Sequence, residues 1–311
     1  MTTKMQAVKN FLVRLGPDNA FVRWALQLHG RKRGFRIQFS EEHIALKRDT
    51  RELWLSKDQY VQVPWMIDWY DFYFKTIESI EHGNRNLLDF SKPGVHRYIR
   101  NQAAFNFPSI PEDDVMDAYT HCYLPKPGEI VWDVGAHAGA TTYSLAHLVG
   151  QSGKVYAFEP DERNFEYLKT NVESHRLENV VLVKKALSAA TGTATFNMDG
   201  TMSAGLSGFP VYEDKRYTRS VPTISIPDAC SDFGEAPNYI KMDIEGAEVI
   251  AIDAAKHFLK IRPIHFAIES NHRVGGELTC KALEQTFAGI GYQVHSSDKF
   301  GEMITWAGPQ V

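Results

Sequence analysis

The sequence predicts an α/β protein whose main domain contains a doubly wound, mostly parallel sheet of seven strands. Three observations lead to this fold class. After residue 128, apolar β-rich runs alternate with segments of helical periodicity, which is typical of a parallel sheet with helices on both faces. The first apolar run ends in an acidic residue and two glycines, as at a tight turn from strand to helix. The chain closes with two β-rich runs around a short polar turn, so the last strand is expected to run antiparallel to the others.

An α+β cap is expected to precede this domain and to occupy residues 1–118. Residues 1–30 predict a helix that closes at Gly30, and residues 60–80 predict an aromatic-rich helix whose rings form much of the core of the cap. The remaining predicted elements of the cap are strands at Phe35–Phe39, His43–Lys47 and Glu52–Leu55 and a helix around 115–123. The turn Pro125-Lys126-Pro127-Gly128 marks the transition, and residues 119–311 form the second predicted domain.

The second domain is expected to alternate strands with helices. The predicted strands are 129–134, 154–159, 180–185, 239–243, 263–269, Tyr292–Ser296 and Met303–Ala307. The predicted helices are 140–150, 161–175, 246–260 and 276–289. An insertion at 192–226 adds the strands Thr193–Asn197 and Val221–Ile226 around a loop rich in glycine and serine. That loop, 199–219, is interpreted either as a lid over the site or as a disordered surface insertion.

The composition is that of an ordinary soluble globular protein, with 43% hydrophobic and 23% charged residues. The net charge of −4 argues against bulk nucleic-acid binding. Residues 1–51 nevertheless carry +7, and this segment faces either an anionic lipid surface, an acidic partner or only solvent. Three distant cysteines indicate a reducing compartment without a disulfide framework. Because the amphipathic first 17 residues have no unbroken apolar core, we expect neither a signal peptide nor a membrane span, and a cytoplasmic location.

Two acidic residues at strand ends predict a nucleoside site. Asp133 precedes Gly135 and Gly139, where the turn lets a ligand approach the backbone and the N-terminus of the next helix. A carboxylate there suits a cationic or hydroxyl-bearing ligand and repels a pyrophosphate. Glu159 ends the next strand, 24 residues after Gly135, which is where a doubly wound fold holds a ribose diol. The alternative is that both acids are ordinary surface residues at strand ends.

A further acidic pair, Asp243 and Glu245, ends the fourth predicted strand. In an open parallel sheet, ligands bind beyond the carboxyl ends of the strands. The candidate positions are therefore Asp133 to Gly139, Glu159, Ala186 to Ser188, Asp243 to Glu245 and Glu269 to His272. For Glu245 and Glu248, a structural role as acidic charges at a helix N-terminus is an equal alternative.

The segments DVGAHAG, FEP and KMDIEGAE, with the closing hairpin, resemble the class I S-adenosylmethionine-dependent methyltransferases of Rossmann-like fold, and more narrowly the FkbM-type family. The resemblance spans roughly 119–307 and implies S-adenosylmethionine as cofactor, with the glycine loop around its methionine end, Glu159 on the ribose and 186–188 beside the adenine. The residues that it assigns to the cofactor are Asp133, Gly135, Ala136, His137, Gly139, Thr142, Glu159, Pro160, Ala186, Leu187, Ser188 and Asp243. His137 stands where such loops commonly carry Asn, which leaves the role of its side chain open.

By this resemblance, the expected activity is O-methylation of a hydroxyl on a sugar, a glycolipid or a related secondary metabolite. Methyl transfer from a sulfonium is an in-line displacement that needs positioning and exclusion of water, and a base assists it. The predicted catalytic residues are Asp243 and Glu245, followed by His272. No metal is expected; the alternative is a Mg²⁺ site with Asp243, Glu269 and Asn271 as oxygen ligands.

Other functions are weighed against this one. An NAD-dependent oxidoreductase is disfavoured because DxGxxxG replaces GxGxxG and because the sheet ends in an antiparallel hairpin. A non-catalytic adenosyl-binding module that recruits a partner through its aromatic cap is disfavoured by the acids at three strand ends. The expected partner is a small-molecule or glycan acceptor and not a nucleic acid, and a homodimer through the cap is an open alternative.

Overall fold

The computed structural model describes residues 15–197, 205–206 and 218–310. The chain divides into two compact units, of which the first ends at Asp113 and the second begins at Asp114. The predicted boundary lies five residues further along the chain. Most of the loop predicted as a lid, and the first 14 residues of the predicted N-terminal helix, lie outside the described residues.

Among its described residues, the first unit contains a five-stranded sheet and two helices of 13 and 14 residues. Its elements are α1 (Ala20–Lys32), β1 (Arg36–Phe39), β2 (His43–Arg48), β3 (Arg51–Ser56), a 3-10 helix (Lys57–Gln62), α2 (Val63–Thr76), β4 (Ile80–His82), β5 (Arg85–Phe90), β6 (Gly94–Arg97) and β7 (Ala104–Phe107). The sheet order is β1-β2-β3-β5-β4, and β6 and β7 form a separate hairpin. The predicted α+β character is thus confirmed, whereas β4 to β7 were not predicted.

The limits of the two helices differ from the prediction for local reasons. The side chain of Asn19 accepts hydrogen bonds from the amides of Phe21 and Val22, so α1 begins at Ala20 and continues past Gly30. Pro64 lies at the start of α2, and the residues before it form the 3-10 helix instead. Within α2, Tyr70 and Tyr73 are fully buried, in line with a packing role for these aromatics.

The second unit contains the seven-stranded sheet. Its strands are β8 (Ile130–Val134), β9 (Lys154–Phe158), β10 (Val180–Val183), β15 (Tyr239–Met242), β16 (His265–Glu269), β19 (Tyr292–Ser297) and β20 (Ile304–Pro309). The helices beside it are α3 (Met116–Tyr119), α4 (Ala140–Val149), α5 (Glu162–Ser174), α6 (Ile226–Phe233), α7 (Glu248–Ile261) and α8 (Thr279–Gly289). The remaining strands are β11 (Ala186–Leu187), β12 (Gly192–Asn197), β13 (Gly205–Leu206), β14 (Thr218–Ile224), β17 (Arg273–Val274) and β18 (Glu277–Leu278).

The strand order of the large sheet is β10-β9-β8-β15-β16-β20-β19. The pairs from β10 to β16 are parallel, and β20 runs antiparallel to both of its neighbours. The predicted doubly wound, mostly parallel sheet with a C-terminal antiparallel hairpin is therefore confirmed. The chain order reverses between β8 and β15, so a crevice is expected at the carboxyl ends of these two strands.

Two predicted strand ends, one in the insertion and one before it, are wrong. The strand predicted to reach Ile226 ends at Ile224, because the side chain of Ser225 accepts from the amide of Asp228 and caps α6. The strand predicted at 180–185 ends at Val183, and Ala186 and Leu187 leave the large sheet to pair with β14. The insertion thereby forms a second sheet in the order β11-β14-β12-β13.

The helices of the described chain are short. The longest described helices have 14 residues, and none of the helices within the described ranges combines the length and the apolar character needed to cross a bilayer.

Candidate active site

The glycine loop between β8 and α4 has a backbone that only glycine fits at two positions. Gly135 and Gly139 have φ angles of 80° and 92°. A Cβ atom on Gly135 would lie 1.8 Å from the carbonyl oxygen of Asp243, and one on Gly139 would lie 2.6 Å from the side chain of Leu168. The glycines therefore serve two needs at once, the left-handed backbone and the close approach of β15 and α5.

His137 also lies in the left-handed region, with φ of 46°. Asn, Asp and His are the non-glycine residues that adopt this region most readily, which explains why His is tolerated where related loops carry Asn. The amide of His137 donates to Oε2 of Glu159 at 2.9 Å, and the side chain of His137 is largely buried. The role of that side chain toward a cofactor stays a prediction.

Glu159 connects the glycine loop to the start of α5. Its carboxylate is only 5% exposed, and its Oε1 accepts from the amide of Asp161 at 2.8 Å while Oε2 accepts from His137. A carboxylate oxygen has two acceptor positions, so such a group can accept several hydrogen bonds at once. Pro160 lies between the two anchored residues, and Asp161 caps α5 through the amide of Asn164.

Asp133 is placed inside the protein. It is fully buried; its Oδ2 accepts from the hydroxyl of Thr142 at 2.6 Å, and its Oδ1 lies 3.2 Å from Nζ of Lys241. The Lys241 ammonium also donates to the carbonyl oxygen of Gly135 at 2.9 Å. Asp133 and Thr142 thus support the loop from within, and a direct contact between Asp133 and a cofactor stays a prediction.

Ala186, Leu187 and Ser188 form a buried segment shortly after the end of β10. The amide of Ser188 donates to the carbonyl oxygen of Ile224, which holds the segment against β14. Because β10 runs parallel to β9 and β8, this segment follows the same edge of the sheet as the glycine loop. Its predicted position beside an adenine is not tested by any contact within the protein.

An acidic cluster lies at the ends of β15 and β16. We define it as Asp243, Glu245, Glu248, Glu269 and Glu302. His272 is its cation: Nδ1 lies 3.1 Å from Oε1 of Glu248, and Nε2 lies 3.3 Å from Oε2 of Glu245 and 3.8 Å from Oδ1 of Asp243. The structure therefore brings together all three residues predicted to be catalytic.

Glu248 has the structural role that was left open as an alternative. It lies in the first turn of α7 and accepts from the amide of Gly246 at 2.9 Å, as expected of a helix N-terminal acid. It is also fully buried against His272. Glu245 is different, since it precedes the helix in the left-handed region with φ of 59°.

The cluster shifts two acid–base equilibria. Burial lowers the pKa of His272, but the carboxylates of Glu248 and Glu245 outweigh burial and raise the pKa well above its ordinary value. Burial raises the pKa of Glu302; the amide of Asn271 opposes this, and the carboxylate of Asp243 reinforces it. The site thus holds an imidazolium among carboxylates.

The predicted alternative ligands of Mg²⁺, Asp243, Glu269 and Asn271, lie near one another, and a metal site there stays a prediction. Asp243 and Glu269 lie close to His272, and one ligand atom from each of the three lies within 4.8 Å of the others. The amide nitrogen of Asn271 donates to Oε1 of Glu269 at 2.9 Å, and Oε2 of Glu269 accepts from the hydroxyl of Tyr119 at 3.2 Å. A metal ion bound by His272 would have to displace the proton of the imidazolium, because both use the same lone pair of the ring nitrogen.

Lys241, Glu302 and Tyr119 are site residues that the sequence analysis missed. For Lys241 a signal was present, because a lysine between Ile240 and Met242 in a buried parallel strand needs a paired anion. Glu302 follows the hairpin turn, and Tyr119 ends α3; no local pattern places either residue near β16.

The protonated state of His272 gives a stability prediction. Because its pKa is raised in the folded protein, its stabilisation is complete below the unfolded value of about 6.5 and is lost as the pH rises through the folded value. We expect His272→Gln to lower the free energy of unfolding by about 3 kcal/mol near pH 6 and by progressively less at alkaline pH. Urea unfolding of both proteins across this range measures the difference.

His257→Gln is the matched control, since His257 is an exposed residue of α7. This variant is expected to unfold like the wild type at each pH. A stability difference for His272→Gln that grows toward alkaline pH would contradict the assignment of an imidazolium.

Comparison with known proteins identifies one family. The methyltransferase FkbM domain matches residues 133–306, which is more than half of the chain. A probable cobalt-precorrin-6B C(15)-methyltransferase of Sulfurisphaera tokodaii is 33% identical over 73 residues, covering 24% of this chain and 38% of that protein. A protein-L-isoaspartate O-methyltransferase of Aeropyrum pernix is 44% identical over 59 residues, covering 19% of this chain and 23% of that protein.

Among solved structures, the chain is similar to the methyltransferase FkbM from Methylobacillus flagellatus, with 14% identity and a TM-score of 0.45. The alignment covers 94% of this chain and 60% of that one. These matches therefore span less than two thirds of the proteins compared. Because the domain match includes the glycine loop, Glu159, the end of β15 and most of the closing hairpin, the chain belongs to the FkbM family of S-adenosylmethionine-dependent methyltransferases.

Proposed function

We propose that the protein transfers the methyl group of S-adenosylmethionine to a hydroxyl group of a sugar, a glycolipid or a related secondary metabolite. The observation that carries this proposal is the contact between the glycine loop and the acidic cluster. The amide of Asp243 donates to the carbonyl oxygen of Val134, and Gly135 packs against the carbonyl oxygen of Asp243. A cofactor held by the loop would thus have its methyl group beside carboxylates that can orient and deprotonate a hydroxyl.

The cofactor is assigned to the edge of the sheet formed by β8, β9 and β10. The backbone of Gly135, Ala136, His137 and Gly139 would surround the methionine end, with Thr142 as internal support. Glu159 would accept from the two ribose hydroxyls, Pro160 would fix the chain beside it, and Ala186, Leu187 and Ser188 would hold the adenine. The tight turn from β8 into α4 supports this assignment, because ligands of open parallel sheets bind beyond the carboxyl ends of the strands, at the point where the chain order reverses.

In the proposed reaction, the acceptor oxygen attacks the methyl carbon in line with the bond to sulfur. The carbon–oxygen bond forms as the carbon–sulfur bond breaks, and the products are a methyl ether and S-adenosylhomocysteine. The proton of the hydroxyl goes to Asp243, whose Oδ1 is buried and has no hydrogen-bond partner among the described residues. Glu245 and His272 keep their own charges while Asp243 takes up the proton.

The carboxylates of the site favour a hydroxyl acceptor over a carbon acceptor. Carboxylates accept hydrogen bonds from hydroxyls and orient their lone pairs toward the methyl group, and sugars offer several hydroxyls for such contacts. We propose a small-molecule or glycan acceptor and no nucleic acid. The first unit is proposed to be an N-terminal cap, and dimerisation through it stays a prediction, as does the cytoplasmic location.

Calorimetry followed by product analysis tests the function. We expect S-adenosylhomocysteine to bind and NAD to show no binding, and methyl-labelled S-adenosylmethionine to label a hydroxylated acceptor from a panel of glycosides and glycolipids. NMR of the product identifies an O-methyl or a C-methyl group. No step of the proposed reaction uses a metal ion, so the rate is expected to be unchanged after dialysis against EDTA.

Each alternative has its own outcome. Binding of NAD in place of the adenosyl ligand would indicate an oxidoreductase. Absence of any adenosyl binding would indicate a non-catalytic module, and a C-methyl product would overturn the acceptor assignment alone. Loss of activity in EDTA that Mg²⁺ restores would revive the metal site.

A further inference from the structure

A buried ion pair lies directly beneath the glycine loop. Lys241 and Asp133 face each other across β15 and β8 in register, and their side chains are 4% and 0% exposed. Nζ of Lys241 lies 3.2 Å from Asp133 Oδ1, donates to the carbonyl oxygen of Gly135 at 2.9 Å and lies 5.4 Å from the centre of the Tyr119 ring. The ammonium group is therefore surrounded by negative or electron-rich partners.

A buried ion pair is weak evidence for a contribution to stability. Removing two charges from water is costly, and buried ion pairs are often replaced by apolar residues of similar size without loss. The position of this pair indicates another role. Asp133 accepts a hydrogen bond from Thr142 in the first turn of α4, and Lys241 donates one to the carbonyl oxygen of Gly135 at the start of the loop. Asp243 lies two residues beyond Lys241, so the ion pair connects the glycine loop to the acidic cluster.

The charge of the pair matters because the proposed ligand is itself a cation. An uncompensated lysine beneath the loop would repel the sulfonium of S-adenosylmethionine, whereas an uncompensated carboxylate would attract it. The sulfur of S-adenosylhomocysteine is a neutral thioether, so neither charge would attract or repel it in this way. The net charge of the pair therefore changes the ratio of the affinities for S-adenosylmethionine and S-adenosylhomocysteine.

We propose that Lys241 is a positioning residue that fixes the glycine loop through Gly135, and that Asp133 is its neutralising partner. As a neutral unit, the pair lets the loop accept the sulfonium without electrostatic bias. The inference rests on the cofactor assigned in the proposed function and is independent of the acceptor.

The test measures the dissociation constants of S-adenosylmethionine and S-adenosylhomocysteine by calorimetry on the full chain. Asp133→Asn removes the negative charge opposite Lys241. It is expected to weaken the binding of S-adenosylmethionine about tenfold more than the binding of S-adenosylhomocysteine. Lys241→Met is expected to weaken both ligands, S-adenosylhomocysteine more than S-adenosylmethionine. The double variant is expected to restore the wild-type ratio of the two constants, because no net charge remains. A loop that is merely loosened would weaken both ligands equally.

Lys241→Gln keeps a donor for the Gly135 carbonyl but removes the charge, so it reports the ratio even if Lys241→Met does not fold. Lys154→Met is the matched control: Lys154 pairs with Glu235 at 2.7 Å at the start of β9, and its loss is expected to change neither constant. A ratio that stays at the wild-type value in Asp133→Asn and Lys241→Gln would overturn the inference. A wild-type protein that binds neither ligand would overturn the cofactor assignment and the inference with it.

Discussion

Asp243→Asn is expected to lower kcat for methyl transfer by about 10²- to 10⁴-fold, the range typical of a lost general base. The affinity for S-adenosylmethionine is expected to change far less, because the contact of Asp243 with the glycine loop uses its backbone. Asparagine has nearly the same shape, so the loop and β15 remain in place. Only the ability of the side chain to take up a proton is lost.

The variant is analysed by single-turnover kinetics beside calorimetry with S-adenosylhomocysteine. Asp253→Asn is the matched control, since Asp253 is an exposed residue of α7 that pairs with Lys256. Equal turnover of Asp243→Asn and wild type would remove Asp243 from the chemistry. A comparable loss of turnover in Glu245→Gln, with Asp243→Asn unaffected, would transfer the role of the base to Glu245.

The fold of the second unit was predictable because its signals are local. Each strand of the parallel sheet is a short apolar run followed by a helical segment, and the hairpin at the end is visible as two β-rich runs around a polar turn. Strand β4 shows where such reasoning stops: all three of its residues are exposed, so no hydrophobic alternation marks it. Helix α6 was missed because Ser225, taken as part of a strand, caps a helix instead.

In the candidate site, residues at strand ends were predictable, and residues that depend on strand pairing were not. Glu159 and Asp243 were found because each ends a strand, and the strand ends of a parallel sheet meet at one edge. The partner of Asp133 was not found, because it depends on the register in which β15 pairs with β8. Glu302 reaches the acidic cluster only through the order in which β20 pairs with β16, which no local pattern encodes.

Glu159→Ala is expected to weaken the binding of S-adenosylhomocysteine by about 1.5–3 kcal/mol, the value of hydrogen bonds to a charged group. Two effects of the carboxylate contribute to this loss of affinity. The carboxylate is the proposed acceptor for the ribose hydroxyls, and it also accepts from the amides of His137 and Asp161. Calorimetry measures the loss, and Glu166→Ala on the exposed face of α5 is the matched control, with no change expected.

A ligand variant separates these two effects of Glu159. S-adenosylhomocysteine that lacks both ribose hydroxyls is expected to bind the wild type more weakly than the parent ligand does. In Glu159→Ala the same omission is expected to cost little, because the partner of the hydroxyls is already absent. If the omission weakens binding equally in both proteins, Glu159 does not contact the ribose. Its effect would then come only from the amides that it holds, and the acceptor of the diol would have to be sought elsewhere along the edge of β9.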